Sequence, residues 1–392
     1  MESSVVLINN KVYFNGGWNR SYVDSFFYLD VSKPFTTSDV ASMPWTDLSS
    51  ITGRINRTGS TACGTNNNQI FYFGGGEVDN FTAIFDITAQ QWSIPKMSEN
   101  FIVERKFTQC VVSGDRMYIY GGYENLFSMV KLDVLNLAWS IFYPGLMAPI
   151  GLFGNGAILL NNTHILYIGG NSVRYGATIS YLLLDKLPMY NIDDNTWSIV
   201  PTSGNIPSAR YHHGTVFIPQ YNQILIFYGY PIPDNSIMAL DTLKFVWSIP
   251  TISNIGGSQN NLNRFNSILI GTYILIAFGI SDNDYTNNMF LLDVSQKDSY
   301  KWVTSYDPTK STSTTSTPTP STSVYSPTTS TTSTTPFTST TPINFGAIIG
   351  GTIGGIAGLI ILSTVAFITI KRYGHSPNFF TSQEEESNQQ IS

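Results

Sequence analysis

The chain has 392 residues and a formal net charge of −6; charged residues make up 12% of it, about half the usual share, and Phe, Trp and Tyr 14%. Without clustered Lys and Arg, an acidic chain of this kind is not expected to bind nucleic acid. An aromatic, charge-poor composition fits a β-rich extracellular or lumenal domain better than a helical cytosolic one.

From the N-terminus, short apolar runs follow one another at regular intervals. The second run of each unit reads Val12-Tyr13-Phe14, Ile70 to Phe73, Met117 to Tyr120, Ile165 to Ile168, Ile224 to Tyr228 and Ile274 to Phe278. Nearly every residue is β-branched, aromatic or aliphatic, which predicts strands covered on both faces. These runs stop at Gly16-Gly17, Gly74-Gly75, Gly121-Gly122 and Gly169-Gly170, then at the single glycines Gly229 and Gly279, where the second glycine of the pair is read as lost. A third run ends in Asp30, Asp86, Asp133, Asn191, Asp241 or Asp293, side chains suited to a turn. Trp92, Trp139, Trp197 and Trp247 each follow this Asp or Asn by six residues, placing them in a fourth, outer strand. With Trp45 and Trp302, the tryptophans are 47, 47, 58, 50 and 55 residues apart, the period of propeller blades.

The glycine pair, the aromatic or aliphatic residue with Asp and the tryptophan six on resemble the kelch repeat. Tyr118 to Trp139 and Tyr190 to Trp197 are the clearest instances, and Arg210-Tyr211-His212-His213 is similar to the Arg-x-x-His that opens many kelch units. The resemblance runs from about Ser4 to Tyr306 and implies an all-β, six-bladed propeller of four-stranded antiparallel blades around a central channel, over residues 1–306.

Residues 307–344 change character: Thr309 to Thr341 is almost wholly Ser, Thr and Pro, too poor in apolar surface to fold, and reads as an O-glycosylated stalk. At about 3.1 Å per residue it could reach roughly 100 Å. Residues 345–370 carry no charge and, as a helix, are long enough to cross a bilayer. Lys371 and Arg372 follow at once, so the tail 371–392 is expected in the cytoplasm and the propeller outside, with plasma-membrane display the expected location. Gly346, Gly350, Gly354 and Gly358 fall on one face of that helix and suggest a homodimer through the span. Met1 to Ser4 lack a basic leader and the chain begins inside its first blade strand, which leaves two readings: an incomplete N-terminus, or a tail-anchored protein with a cytosolic propeller.

Chemistry is sparse. Cys63 and Cys110 occupy equivalent positions in neighbouring blades, where others carry Val5, Ile158, Ile218 and Ile268; that equivalence predicts two buried free thiols too far apart to bridge. The copper site of galactose oxidase-like kelch enzymes needs two histidines, an axial tyrosine and a tyrosine–cysteine cross-link. His164, His212, His213 and His375 do not make that set, so no metal, cofactor or catalytic residue is expected. Asn19, Asn56, Asn80 and Asn161 stand in sequons, and the long loop from Gly170 to Tyr190, carrying Arg174 and Tyr175, is the first candidate for binding. The expectation is a cell-surface adhesion or recognition protein with a protein or glycan ligand on its propeller loops. A glycan-active propeller enzyme and a cytosolic kelch scaffold are the alternatives.

Overall fold

A strand with apolar residues on both faces must be covered on both, and six such strands in one chain cover each other by closing a ring. The computed structural model describes residues 3–21, 23–55, 57–76, 81–96, 105–123, 128–143, 145, 147–172, 180–258 and 261–311. Arg174, Tyr175, Asn56 and Asn80 lie outside them, as do the Ser/Thr/Pro segment from Thr312 on, the glycine ridge from Gly346 to Gly358 and the tail. No helix among the described residues is long and apolar enough to cross a membrane.

Six four-stranded antiparallel blades follow in chain order. Blade 1 is Ser4–Ile8, Lys11–Asn15, Phe26–Asp30 and Trp45–Asp47. Blade 2 is Thr61–Gly64, Gln69–Phe73, Thr82–Asp86 and Gln91–Ser93; blade 3 is Cys110–Ser113, Arg116–Tyr120, Met129–Asp133 and Ala138–Phe142. Blade 4 is Gly156–Leu160, His164–Ile168, Lys186–Asn191 and Thr196–Pro201. Blade 5 is Gly214–Ile218, Gln223–Phe227, Ile237–Asp241 and Val246–Ser248, and blade 6 is Asn266–Ile270, Tyr273–Ala277, Met289–Asp293 and Ser299–Val303. Blades 5 and 6 each gain a short parallel edge strand, Ser203–Gly204 and Thr251–Ile252. The first strand of each blade touches those of both neighbours, and the strand of blade 6 touches that of blade 1, so the ring is closed.

The apolar core is six clusters, one between each pair of adjacent blades. This explains the recurring tryptophan. Each sits on an outer strand and packs toward the preceding blade: Trp139 stands edge-on to Phe73, and Trp197 packs on Tyr120 at 4.6 Å. Trp45 does the same across the closure, in the cluster shared by blades 1 and 6. That closure is reinforced by Ser305–Tyr306 pairing with Phe35–Thr36 and by the Tyr306 hydroxyl, which donates to the Val31 carbonyl. The repeated aspartates are turn residues as expected: Asp86 accepts the amides of Thr88 and Ala89, and Asp241 those of Leu243 and Lys244.

Two sequence readings are corrected. Cys63 and Cys110 are not free thiols but form a disulfide, with Cα atoms 6.1 Å apart. Equivalent positions diverge with radius, but these lie on the innermost strands, where blades converge; the Cys110 amide also donates to the Thr61 hydroxyl of the neighbouring strand at 3.0 Å. In blades 5 and 6 the missing glycine is the first of the pair. Gly229 donates its amide to Leu262 of the next blade as Gly17, Gly75, Gly122 and Gly170 do to Arg57, Arg105, Leu152 and Arg210. Tyr228 and Phe278 therefore take the first position, in left-handed conformations with φ of 48° and 65°.

Candidate functional site: an aromatic face at the channel mouth

The second strand of every blade ends at one rim of the ring, where the loops entering the first strands also lie. Gly59, Phe107, Gly154, His212 and Arg264 occupy equivalent positions just before the first strands of blades 2 to 6. All five have left-handed φ, between 52° and 66°. The last four each donate their amide to the carbonyl of the one before: Phe107 to Gly59 at 2.8 Å, Gly154 to Phe107 at 2.6 Å, His212 to Gly154 at 2.7 Å and Arg264 to His212 at 3.0 Å. This backbone collar girdles the channel and fixes which side chains meet there.

Glycine alternates with a large side chain around most of the collar. The Phe107 ring covers Gly59, where a Cβ would come within 2.9 Å of it, and the His212 ring covers Gly154 at 3.1 Å. Phe107 and His212 meet edge to face at 4.9 Å, while the Arg264 guanidinium crosses from the opposite blade to 5.5 Å from the Phe107 centroid. Burial, then the neighbouring Arg264 and His213, holds His212 well below the usual histidine range, so the ring is neutral.

From this mouth an aromatic run spreads over blades 3 to 5. Tyr123 contacts Phe153 at 5.3 Å, Phe153 contacts Tyr211 at 6.2 Å, and Tyr211 contacts Tyr230 at 5.7 Å and stacks on Tyr181 at 5.8 Å. Tyr123, Tyr181 and Tyr230 are 52%, 39% and 49% exposed, which makes this a surface and not a core. Most of these rings come from two positions of the repeat: Phe153 and Tyr211 follow the residue equivalent to Arg57, and Tyr123 and Tyr230 follow the glycine pair. The two positions are tied together; Tyr211 and Tyr230 exchange both amide hydrogen bonds at 2.9 Å. The face is therefore held by backbone pairing before any ligand arrives.

Of the residues singled out in the sequence, the loop after Gly170 does reach this face: Asn171–Ser172 and Ser180–Tyr181 form a hairpin stem, and Tyr181 is its contribution. Its tip, with Arg174 and Tyr175, is outside the described residues. Asn19 and Asn161 are exposed, Asn161 in a tight hairpin turn with φ of 51°. His164 is structural, its Nδ1 2.8 Å from the Thr163 hydroxyl. Among the described residues no group of His, Cys, Asp or Glu is placed to hold a metal ion, and both cysteines are committed to the disulfide.

Below the collar lie Arg57, Arg105 and Arg210, each 1% exposed or less. Arg105 donates to the carbonyls of Gly121 at 2.5 Å and Ser128 at 2.9 Å, tying the end of the second strand to the start of the third. Burial lowers all three to about 10, still well above neutrality.

A model of the Attractin/LZTR1 β-propeller family matches residues 70–335, more than half of the chain. The chain belongs to this family. Its kelch-type repeat is shared with Kelch domain-containing protein 3 of Bos taurus, 27% identical over 181 residues, which are 43% of this chain and 46% of the relative. The human protein of that name is 23% identical over 270 residues, 62% of this chain and 68% of its own length. Acyl-CoA-binding domain-containing protein 5 of Arabidopsis thaliana is 23% identical over 313 residues, 76% of this chain and 47% of the relative. The chain thus spans less than half the length of the bovine and plant relatives. As a kelch-type propeller it falls in a class whose members generally bind protein partners.

Proposed function

We propose that this propeller is a binding module displayed outside the cell, which captures a protein ligand on the aromatic face at its channel mouth. The observation that carries the reading is the aromatic run from Tyr123 through Phe153 and Tyr211 to Tyr230, in which Tyr123 and Tyr230 are exposed, Tyr211 is partly exposed and Phe153 is buried beneath them. Tyrosines give large contact area at low entropic cost and keep a hydroxyl for hydrogen bonding, the properties of interface hot spots. Display outside the cell is supported by the Cys63–Cys110 disulfide, since such bonds persist in oxidising compartments. It is supported too by the uncharged segment 345–370 followed by Lys371 and Arg372.

The test is a displayed peptide library selected on the full chain and counter-screened on a Tyr211→Ala, Tyr230→Ala variant of it. Selected peptides should lose at least tenfold in affinity for the variant; peptides indifferent to both substitutions would place binding elsewhere. Display is checked separately. Protease added to intact cells should remove the propeller and spare a tag placed after Ser392, and the reverse pattern would overturn that part.

A further inference from the structure

Directly inside the collar is a cavity of about 100 Å³, lined by collar residues and by Asn155, His213 and Asn266 one layer deeper. A second cavity of about 90 Å³ shares Asn155, His213 and Asn266 and continues along the channel wall to Thr215. Buried polar groups in folded proteins are almost always paired, and exceptions ask for a reason. Here three cluster. The Asn155 Oδ1 atom, both ring nitrogens of His213 and the Thr215 hydroxyl have no hydrogen-bond partner, although Asn155 and His213 are only 4% and 9% exposed. Elsewhere on the same wall such groups are satisfied: the Asn266 amide donates to Ser3 at 2.8 Å, and the hydroxyls of Ser4 and Ser60 pair at 2.8 Å.

We propose that this pocket receives an uncharged carboxamide, the side chain of an Asn or Gln in the ligand peptide, inserted at the channel mouth while the rest of the peptide lies on the aromatic face. The complementarity is specific. Neutral His213 offers one donor and one acceptor, and Asn155 Oδ1 is an acceptor. A primary amide can donate one N–H to Asn155 Oδ1 while it meets one edge of the His213 ring, accepting at its carbonyl if that nitrogen carries the proton or donating its other N–H if it does not. A carboxylate, which only accepts, would face Asn155 Oδ1 with repulsion. An ammonium can only donate, so it cannot meet His213 where the facing nitrogen carries the proton, and it would bring a positive charge beside Arg264, with Arg210 already acting on His213. Protonation of His213 does not rescue a carboxylate, because burial and Arg210 push its pKa down to about 3. The cavity volume limits the inserted group to a few heavy atoms.

This inference rests on the reading of the aromatic face as the ligand site, and the two can fail separately. Peptides selected on the full chain should share one Asn or Gln. Replacing that Gln with Met, which keeps length and volume, should lower affinity at least tenfold, because buried polar atoms are left unpaired; Gln to Glu should cost as much or more. On the protein side, His213→Phe should abolish the preference for Gln over Met, and Asn155→Leu should weaken it. If selected peptides carry no common amide, or the Gln-to-Met change costs less than twofold, the pocket holds water only and the inference is wrong. If binding also survives Tyr211→Ala, the face itself is wrong.

Discussion

The backbone amide of Gly75 donates to the carbonyl of Arg105 in the next blade at 2.9 Å, and this bond recurs between successive blades along the ring. The glycine just before it is what lets the blades approach. Gly74 has φ of +63°, and a Cβ there would lie 2.1 Å from the Arg105 carbonyl oxygen. Gly74→Ala should therefore destabilise by at least about 3 kcal/mol, combining left-handed strain with a backbone clash that cannot relax without opening the interface. Gly114 is the control: it has φ of +58° and nothing within 4 Å of a Cβ, so Gly114→Ala should cost only about 1–2 kcal/mol. Urea midpoints of the two variants measure the difference. Equal losses would mean that conformation, and not the inter-blade approach, selects the glycine pair.

The disulfide joins the first strands of blades 2 and 3 across a sequence separation of 47. The chain-entropy estimate for a loop of that length is about 4 kcal/mol, and measured values usually fall at 2–4 kcal/mol. Replacing both cysteines with Ala should lower stability by about that amount, and thiol titration of the unreduced, denatured protein should find no free thiol. One or more titratable thiols per chain would contradict the bridge.

Much of this fold was legible because its signals are local and repeated. Trp92 or Trp139 reads as a blade marker, since each seals an interface that recurs six times, and the turn aspartates act within three residues of themselves. Radius was not legible. Spacing shows that Cys63 and Cys110 are equivalent but not that they lie where blades converge, and so the bridge was missed. The register of Tyr228-Gly229 was misread for a similar reason: only the bond from Gly229 to Leu262 tells which glycine of the pair survives. The candidate site was the least legible part. Its rings come singly from separate loops in three blades, and a motif contiguous in sequence, such as Arg174-Tyr175, draws attention away from residues contiguous only in space.

Acid should destabilise the propeller through His213. Its pKa is pushed down to about 3 by burial, then by Arg210, against about 6.5 in the unfolded chain. Below pH 6.5 the unfolded state binds a proton that the folded state does not, so stability falls as pH drops from about 6.5 toward 3, by up to about 1.4 kcal/mol per pH unit for one such group. His212 acts in the same direction. Asp30, Asp47 and Asp133 are also held below the usual carboxylate value, so their contribution is lost only at lower pH. Between pH 6.5 and 5, His213→Phe should flatten the stability profile relative to wild type. Parallel profiles would show that His213 takes up its proton in the folded state.

The buried arginines permit a comparison inside one molecule, because blades 4 and 6 carry Leu152 and Leu262 where blades 2, 3 and 5 carry Arg57, Arg105 and Arg210. A leucine is thus sterically acceptable at this position of the fold. In blade 3, however, the carbonyls of Gly121 and Ser128 and the Ser128 hydroxyl point at the guanidinium, which donates to all three. Arg105→Leu would leave those acceptors buried without that donor, at about 1–3 kcal/mol for each that finds no replacement. The expected loss is therefore about 2–4 kcal/mol, set by unpaired carbonyls and not by volume. Arg105→Lys keeps the charge but replaces a planar fork by a single ammonium with a shorter reach, and should recover less than half of it. The reciprocal change, Leu152→Arg, brings a guanidinium to a blade whose packing is built for a side chain fully buried among Tyr120, Tyr167 and Trp197, and should be more damaging than Arg105→Leu. Denaturation midpoints for the three variants order these effects. If Arg105→Leu were as stable as wild type, the arginine would be an interchangeable filler of the blade, and the strand ends it joins would be held by the ladder alone.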